Sequence, residues 1–202
     1  MATATSGRLR PPALSPRVET AGQARLHQLY WLTAGLILVF LLSFVLTERI
    51  FEPLGLRQTA YDPQGPISGR HARGYNVGPE GRLIDMTAAH AGIGAEGAVV
   101  SNAEDTAHFL VSLMQGKLLG PEQLALMKHG GFWNGGDPTG CGDVAYGHSG
   151  GGGGFKTDVW VSGDGERVAV VLLNGRGGAA ADRRADATMT RLYCAAPAEV
   201  SR

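Results

Sequence analysis

An α/β fold of the α+β kind, an antiparallel sheet flanked by helices and preceded by a separate apolar helix, is what this sequence predicts. Three observations carry that expectation. Lys156 to Ser162 alternates and is rich in β-formers, Gly163-Asp164-Gly165 then turns the chain, and Arg167 to Leu173 runs largely apolar, so 157–173 reads as a β-hairpin. Two stretches, 104–115 and 182–194, repeat apolar side chains at helical intervals. Leu29 to Leu46 is eighteen residues without a charge, at the short end of what crosses a bilayer as a helix.

In chain order, residues 1–28 carry Arg8, Arg10, Arg17 and Arg25, with prolines at 11, 12 and 16, and show no apolar periodicity, so a disordered tail is expected. Residues 29–47 read as a transmembrane helix with aromatics at its first edge. The arginines before it put the N-terminus on the cytoplasmic side, and no small-x-small cleavage site precedes Glu48, so a retained anchor is expected and the part after it lies outside the cytoplasm. The competing reading is the buried core helix of a soluble protein. Residues 48–196 form the remaining domain and 197–202 a tail.

Within that domain, Pro53 stops a helix and Gly55 turns the chain. Ala60 to Ala95 reads as turns and short extended pieces without chemistry. Ser101 and Glu104 stand at capping-box spacing ahead of Ala107, Leu110, Val111 and Met114, so Ser101 is expected to cap a helix rather than to react. Gly116 ends that helix and Pro121 opens a short one through Met127. The closing helix should lay a stripe of Ala185, Met189, Leu192 and Tyr193 on the sheet.

Charge and composition exclude several functions. With Lys+Arg 18 against Asp+Glu 18 there is no net charge, which argues against a nucleic-acid partner, whose binding rests on phosphate neutralisation. His108 and His129 have no partner at metal-ligand spacing. Cys141 and Cys194 are too few for a four-ligand zinc site and too far apart for a C-x-x-C pair, which leaves a disulfide or free thiols. No metal or cofactor is implied.

The chemistry concentrates in Tyr146-Gly147-His148-Ser149-Gly150-Gly151-Gly152-Gly153-Gly154-Phe155. Gly147 to Gly151 satisfies G-x-S-x-G, the nucleophile elbow in which a strand leads into a helix and the triad histidine comes last. Here a strand follows Ser149 and all six histidines lie at or before 148, so that reading fails. The stretch from Cys141 to Gly150, with Gly154-Phe155 after it and Cys194 near the end, resembles the C-terminal part of exported D-alanyl-D-alanine carboxypeptidases of the serine β-lactamase and penicillin-binding superfamily. Thr47 to Thr59, with its Pro-Leu-Gly-Leu turn, Arg73-Gly74-Tyr75 and the 116–127 segment are similar to further parts of that family, so the resemblance spans about Phe44 to Ala196. It implies that His148, Ser149 and Gly150 help hold the substrate, that the amide of Gly151 faces an oxyanion, and that Cys141 and Cys194 form a disulfide. The ligand so implied is a peptidoglycan peptide or a β-lactam.

Two family motifs are missing from this chain. No serine has a lysine three residues on, and no tyrosine or serine has an asparagine two residues on, so the acylated serine and its base have no counterpart. The strand that carries a carboxylate-gripping arginine in the family is replaced by Gly130 to Gly140. The chain therefore reads as a half-enzyme: a serine hydrolase by lineage, truncated and inactive, with a partial fold whose sheet lacks its N-terminal strands. The alternative is a non-catalytic, membrane-anchored envelope protein that binds peptidoglycan peptide or a protein partner, including one that supplies the missing half.

Overall fold

A computed structural model describes residues 21–63, 67, 69–90, 97–129, 134–137 and 140–195. The expected tails at 1–20 and 197–202 lie outside them. The chain divides into two compact units, Met1–Phe40 and Leu41–Arg202.

Helix α1 spans Ala21–Leu46, so residues 21–28, expected in the tail, are helical. Ala21, Gln23, Ala24, Arg25, Leu26 and Gln28 are all good helix formers and extend the apolar run by two turns. The stretch Arg25–Leu54 is 30 residues with a window of mean hydropathy 2.4, none of it buried. It is long and apolar enough to cross a membrane, a test that a signal sequence near an N-terminus meets equally, and it is not the buried core helix of the competing reading.

The helix does not stop at Pro53. It widens to a π-turn over Thr47–Phe51 and continues as α2, Glu52–Leu54. A proline has no N–H to give and its ring crowds the carbonyl four residues back; the wider turn upstream, seen in the bond from Glu52 N–H to the Thr47 carbonyl, accommodates it. Gly55, at φ +67°, then ends the helix: its N–H bonds the Glu52 carbonyl at 2.9 Å and that of Leu56 bonds the Phe51 carbonyl at 2.8 Å, the paired closure of a Schellman motif.

Three small sheets follow. Strand β1, Ala60–Tyr61, pairs antiparallel with β4, Val99–Val100. Strand β2, Tyr75–Val77, lies between β3, Leu83–Asp85, antiparallel, and β9, Gly175–Arg176, parallel. The main sheet has the order β5-β6-β7-β8, all antiparallel, from Asn134–Gly136, Ala145–Gly152, Phe155–Ser162 and Val168–Leu173. The expected hairpin is thus present, and the glycine run joins an inner strand.

Helix α3, Ala103–Met114, is capped by Asn102 and not by Ser101. Asn102 is extended at φ −117° and its amide oxygen accepts the Asp105 N–H at 2.8 Å; an asparagine caps as well as a serine, and the residue adjoining the helix has the geometry for it. Ser101 Oγ instead lies 2.8 Å from Thr59 Oγ1. The Asp105 carboxylate accepts from Gln58 N–H and Thr59 Oγ1, both at 2.8 Å, so the first turn of α3 clasps the turn after α2. Helix α4 is Pro121–His129, a turn's fraction longer than expected, and α5 is Ala179–Ala195.

The sheet is a middle layer. On one face Ala145, Ala169 and Val171 meet Met189 and Tyr193 of α5; on the other Val159 and Val161 meet Leu110 and Met114 of α3, with Leu124 and Met127 of α4 against them. The α5 stripe is Ala185, Met189 and Tyr193. Leu192, expected within it, is 51% exposed, because it falls at the stripe's rim, where the sheet no longer reaches.

Candidate functional site

Strands β6 and β7 turn through Gly153 and Gly154, both at positive φ (+52° and +82°), the backbone that a two-residue hairpin turn needs. Close approach explains other glycines. A methyl group on Gly147 would lie 2.2 Å from the Val159 carbonyl oxygen and 2.5 Å from the Trp160 ring, and one on Gly74 would lie 2.5 Å from the Gly153 carbonyl oxygen. Gly150 differs: nothing stands within 4 Å of where its side chain would be. Among the described residues no contact requires glycine there.

The register sorts the motif onto two faces. Ser149 pairs with Asp158 and Gly151 with Lys156, on the α5 side; His148 pairs with Val159 and Gly150 with Thr157, on the α3 side. Adjacent strand residues point apart, so His148 and Ser149 are not placed as base and nucleophile of one another. All four residues from His148 to Gly151 are exposed. Strand β5 pairs only with Ala145 to Gly147, so among the described residues no strand covers the outer edge of β6 from His148 to Gly152.

Beside Ser149 lies an ion cluster. Lys156 Nζ is 3.0 Å from Asp158, 3.6 Å from Asp182 and 3.7 Å from Asp186, with only 15% of its side chain accessible. Burial pulls the ammonium pKa down, but the hydrogen bond to Asp158 and the three carboxylate charges outweigh it and hold the group above its ordinary value. A lysine kept charged is no general base, so the lysine on the face of Ser149 is not set to take its proton.

The entry to β6 is fixed covalently. Cys141 and Cys194 are disulfide-bonded with their Cα atoms 5.6 Å apart, joining the loop before β6 to the end of α5. The Asp137 carboxylate accepts from Cys141 and Gly142 N–H, each at 3.0 Å. Asp143 accepts from Arg167 Nη1 at 3.1 Å and from the Tyr193 hydroxyl at 3.4 Å, while Arg167 lies over the Tyr193 ring. Burial first, and the Asp143 charge second, push the Tyr193 phenol up to about 12. Among the described residues no group of three or more His, Cys, Asp or Glu side chains is placed to hold a metal ion.

The sequence profile of the Beta-lactamase family matches residues 44–192. The chain belongs to that family. Solved structures share its fold. A D-stereospecific amidohydrolase from Streptomyces sp. superposes with a TM-score of 0.61 at 22% identity, over 76% of this chain and 48% of its own. The octameric penicillin-binding protein homologue from Pyrococcus abyssi gives 0.56 at 21%, over 72% and 36%. D-amino acid amidase from Ochrobactrum anthropi SV3 in complex with D-phenylalanine gives 0.55 at 22%, over 71% and 49%. The chain therefore spans about half, or less, of these structures.

The sequence-predicted site residues His148, Ser149, Gly150 and Gly151 are consecutive on strand β6, His148 and Gly150 on one face and Ser149 and Gly151 on the other, and the two cysteines meet. Two residues beside them were not found from sequence. Lys156 looked like one more alternating strand residue, and its carboxylate partners lie 26 and 30 positions further on, on α5. Arg176 approaches the motif from β9: its Nη1 lies 3.1 Å from where a Gly151 methyl would be. No local pattern marks a two-residue strand that pairs with β2 about a hundred positions away.

Proposed function

We propose that this chain is the ligand-gripping portion of a serine hydrolase of the β-lactamase and D-alanyl-D-alanine carboxypeptidase kind, and that by itself it binds a D-Ala-D-Ala peptide or β-lactam without being acylated. The observation that carries this reading is the exposure of His148–Gly151 on β6, where among the described residues no strand pairs with the outer edge beyond Gly147 and no atom stands within 4 Å of a side chain placed at Gly150. An extended peptide adds to such an edge through main-chain hydrogen bonds. His148 and Ser149 then contact the ligand, and the Gly151 N–H faces a carbonyl or oxyanion, a donor type whose removal costs about 3 kcal/mol where acyl transfer occurs. Acylation needs an activated hydroxyl. This chain has no Ser-x-x-Lys, and Ser149 has neither His148 nor an uncharged Lys156 to activate it. A site without nucleophile and base keeps only binding and charge stabilisation.

The test is a ligand titration followed by amide NMR of the full chain in detergent micelles. N-acetyl-D-Ala-D-Ala is expected to shift the amides of residues 148–151 and to leave those of α3 in place. Unchanged amides at 148–151 under saturating ligand would defeat the reading.

The helix through Leu46 favours a second feature: the chain is a membrane-anchored envelope protein, its N-terminus cytoplasmic and residues 48–196 outside. A partner carrying the nucleophile half then works beside it or is lost. Protease added to intact spheroplasts is expected to digest the part after Glu48; full protection would reverse the topology.

A further inference from the structure

We infer that the outer edge of β8 pairs with the β8 of a second copy of this chain, antiparallel about a two-fold axis at Val170, so that two main sheets join into one. This stands apart from the ligand reading of β6, since β8 ends the order β5-β6-β7-β8 on the other side of β7.

Strand β8 is composed as an inner strand. Val168 to Leu173 reads Val-Ala-Val-Val-Leu-Leu, without charge, proline or glycine. Helices cover both of its faces: Ala169 and Val171 lie against Met189 and Tyr193 of α5, Val168 and Val170 against Leu110 and Met114 of α3. A run that is apolar on both faces is the pattern of a sheet's interior, and edge strands are ordinarily blunted by a charge, a proline or a bulge. This edge has none of them.

The ladder shows which groups are free. Ser162 N–H donates to the Arg167 carbonyl at 2.8 Å, so in the β7–β8 register Arg167, Ala169, Val171 and Leu173 turn their main chain to β7. The N–H and carbonyl groups of Val168, Val170 and Leu172 therefore point outward, and among the described residues no hydrogen bond engages them. Beyond Leu173 the edge ends, where the Asn174 carbonyl accepts the Tyr75 N–H at 2.9 Å and β9 joins β2.

A two-fold axis at Val170 satisfies all three residues. It sets Val170 opposite Val170 and Val168 opposite Leu172, so every outward group meets an outward group, with two hydrogen bonds per pair. Ala169 meets Val171 between them. All the opposed side chains are apolar, as favourable cross-strand neighbours are. The axis is perpendicular to the sheet, which keeps α5 beside α5 and α3 beside α3, and the interface closes on itself. Charges agree at the ends. Exposed Glu166 precedes the strand, exposed Arg176 follows it, and Arg184 lines the groove beside residues 171–175. None of these three is ion-paired among the described residues, and antiparallel pairing brings each acidic end to the second copy's basic end.

The experiment is sedimentation equilibrium of the full chain in density-matched detergent micelles, together with oxidative cross-linking of Val170→Cys. The two native cysteines are bonded to each other and take no part. Wild type is expected at twice the chain mass. Val170→Cys should link into a dimer, because the Cα atoms of such a hydrogen-bonded pair stand about 5.5 Å apart, within disulfide reach; Leu83→Cys, 63% exposed on β3, should not. Leu172→Pro removes an N–H that points outward, where an edge strand admits proline. Leu172→Lys, at a side chain 42% exposed, sets an ammonium against the second copy's Val168. Each should weaken self-association about tenfold or more with an unchanged circular dichroism spectrum. A wild-type chain at single mass overturns the inference. So does a dimer that survives both Leu172 variants and leaves Val170→Cys unlinked, since another surface then holds it. Both results leave the β6 reading untouched.

Discussion

One methyl group added at two places in the same strand should give opposite results. At Gly147 it would meet the Val159 carbonyl oxygen at 2.2 Å and the Trp160 ring at 2.5 Å. The carbonyl belongs to the neighbouring strand of the main sheet and no rotamer change relieves it, so Gly147→Ala must push β6 and β7 apart. Overpacking of this kind costs about 1–3 kcal/mol, and the backbone contact puts it at the upper end. For a unit of about 150 residues that is a fall in Tm of roughly 6–12 °C. At Gly150 the same methyl enters open space at ordinary φ, and replacing a mid-strand glycine by alanine restores about 0.5–1 kcal/mol of backbone entropy. Gly150→Ala should therefore melt at the wild-type temperature or a few degrees above, and yet bind N-acetyl-D-Ala-D-Ala several times more weakly, because the methyl occupies the space left for the ligand. Thermal unfolding by circular dichroism and calorimetric titration on the two variants decide the matter. If Gly147→Ala melts like wild type, the β6–β7 register is wrong; if Gly150→Ala loses more than a few degrees, the space at 150 is not open.

The disulfide closes a loop between residues 53 apart, which contributes about 4 kcal/mol in the chain-entropy account; the Cys141→Ala, Cys194→Ala double variant and reduced wild type should lose this in urea unfolding, and equal midpoints with and without reductant would refute it. Alkaline pH should also destabilise the fold. Tyr193 is fully buried and its phenol is raised from 10.0 to about 12, and Lys156 is raised above 10.5. Both folded values lie above the unfolded ones, so their contribution is full below about pH 10 and is lost as pH rises toward 12. Unfolding midpoints at pH 9, 10 and 11 should fall in wild type and fall less in Tyr193→Phe; parallel slopes would remove Tyr193 from the account.

Much of this molecule was legible in its sequence where the signal is local. The β7–β8 hairpin was, because alternation and the Gly163-Asp164-Gly165 turn occupy consecutive residues. Helix α5 was, through the four-residue spacing of Ala185, Met189 and Tyr193, although Leu192 was counted into a face that the sheet does not cover. The motif strand was recognisable through His148-Ser149-Gly150, and the disulfide through the resemblance of both its cysteine positions. What stayed hidden depends on which distant segments meet. Ser101 and Asn102 are both good caps, and only the extended backbone of Asn102 decides between them. That Asp105 clasps Thr59, that Lys156 is held by α5, and that Arg176 reaches over Gly151 follow from packing between elements dozens of positions apart. Glycine itself is ambiguous in sequence: Gly147, Gly150 and Gly154 look alike, and only their surroundings show that one avoids a clash, one lies open and one turns the chain.

The claim at the centre is that this β-lactamase-family chain grips a ligand at β6 without reacting with it. Intact-protein mass spectrometry of the full chain tests it most directly, after incubation with a penicillin and with a peptide ending in D-Ala-D-Ala. The chain mass should stay unchanged at every time point with both compounds. A stoichiometric acyl adduct that disappears in Ser149→Ala would make that hydroxyl a nucleophile and contradict the account.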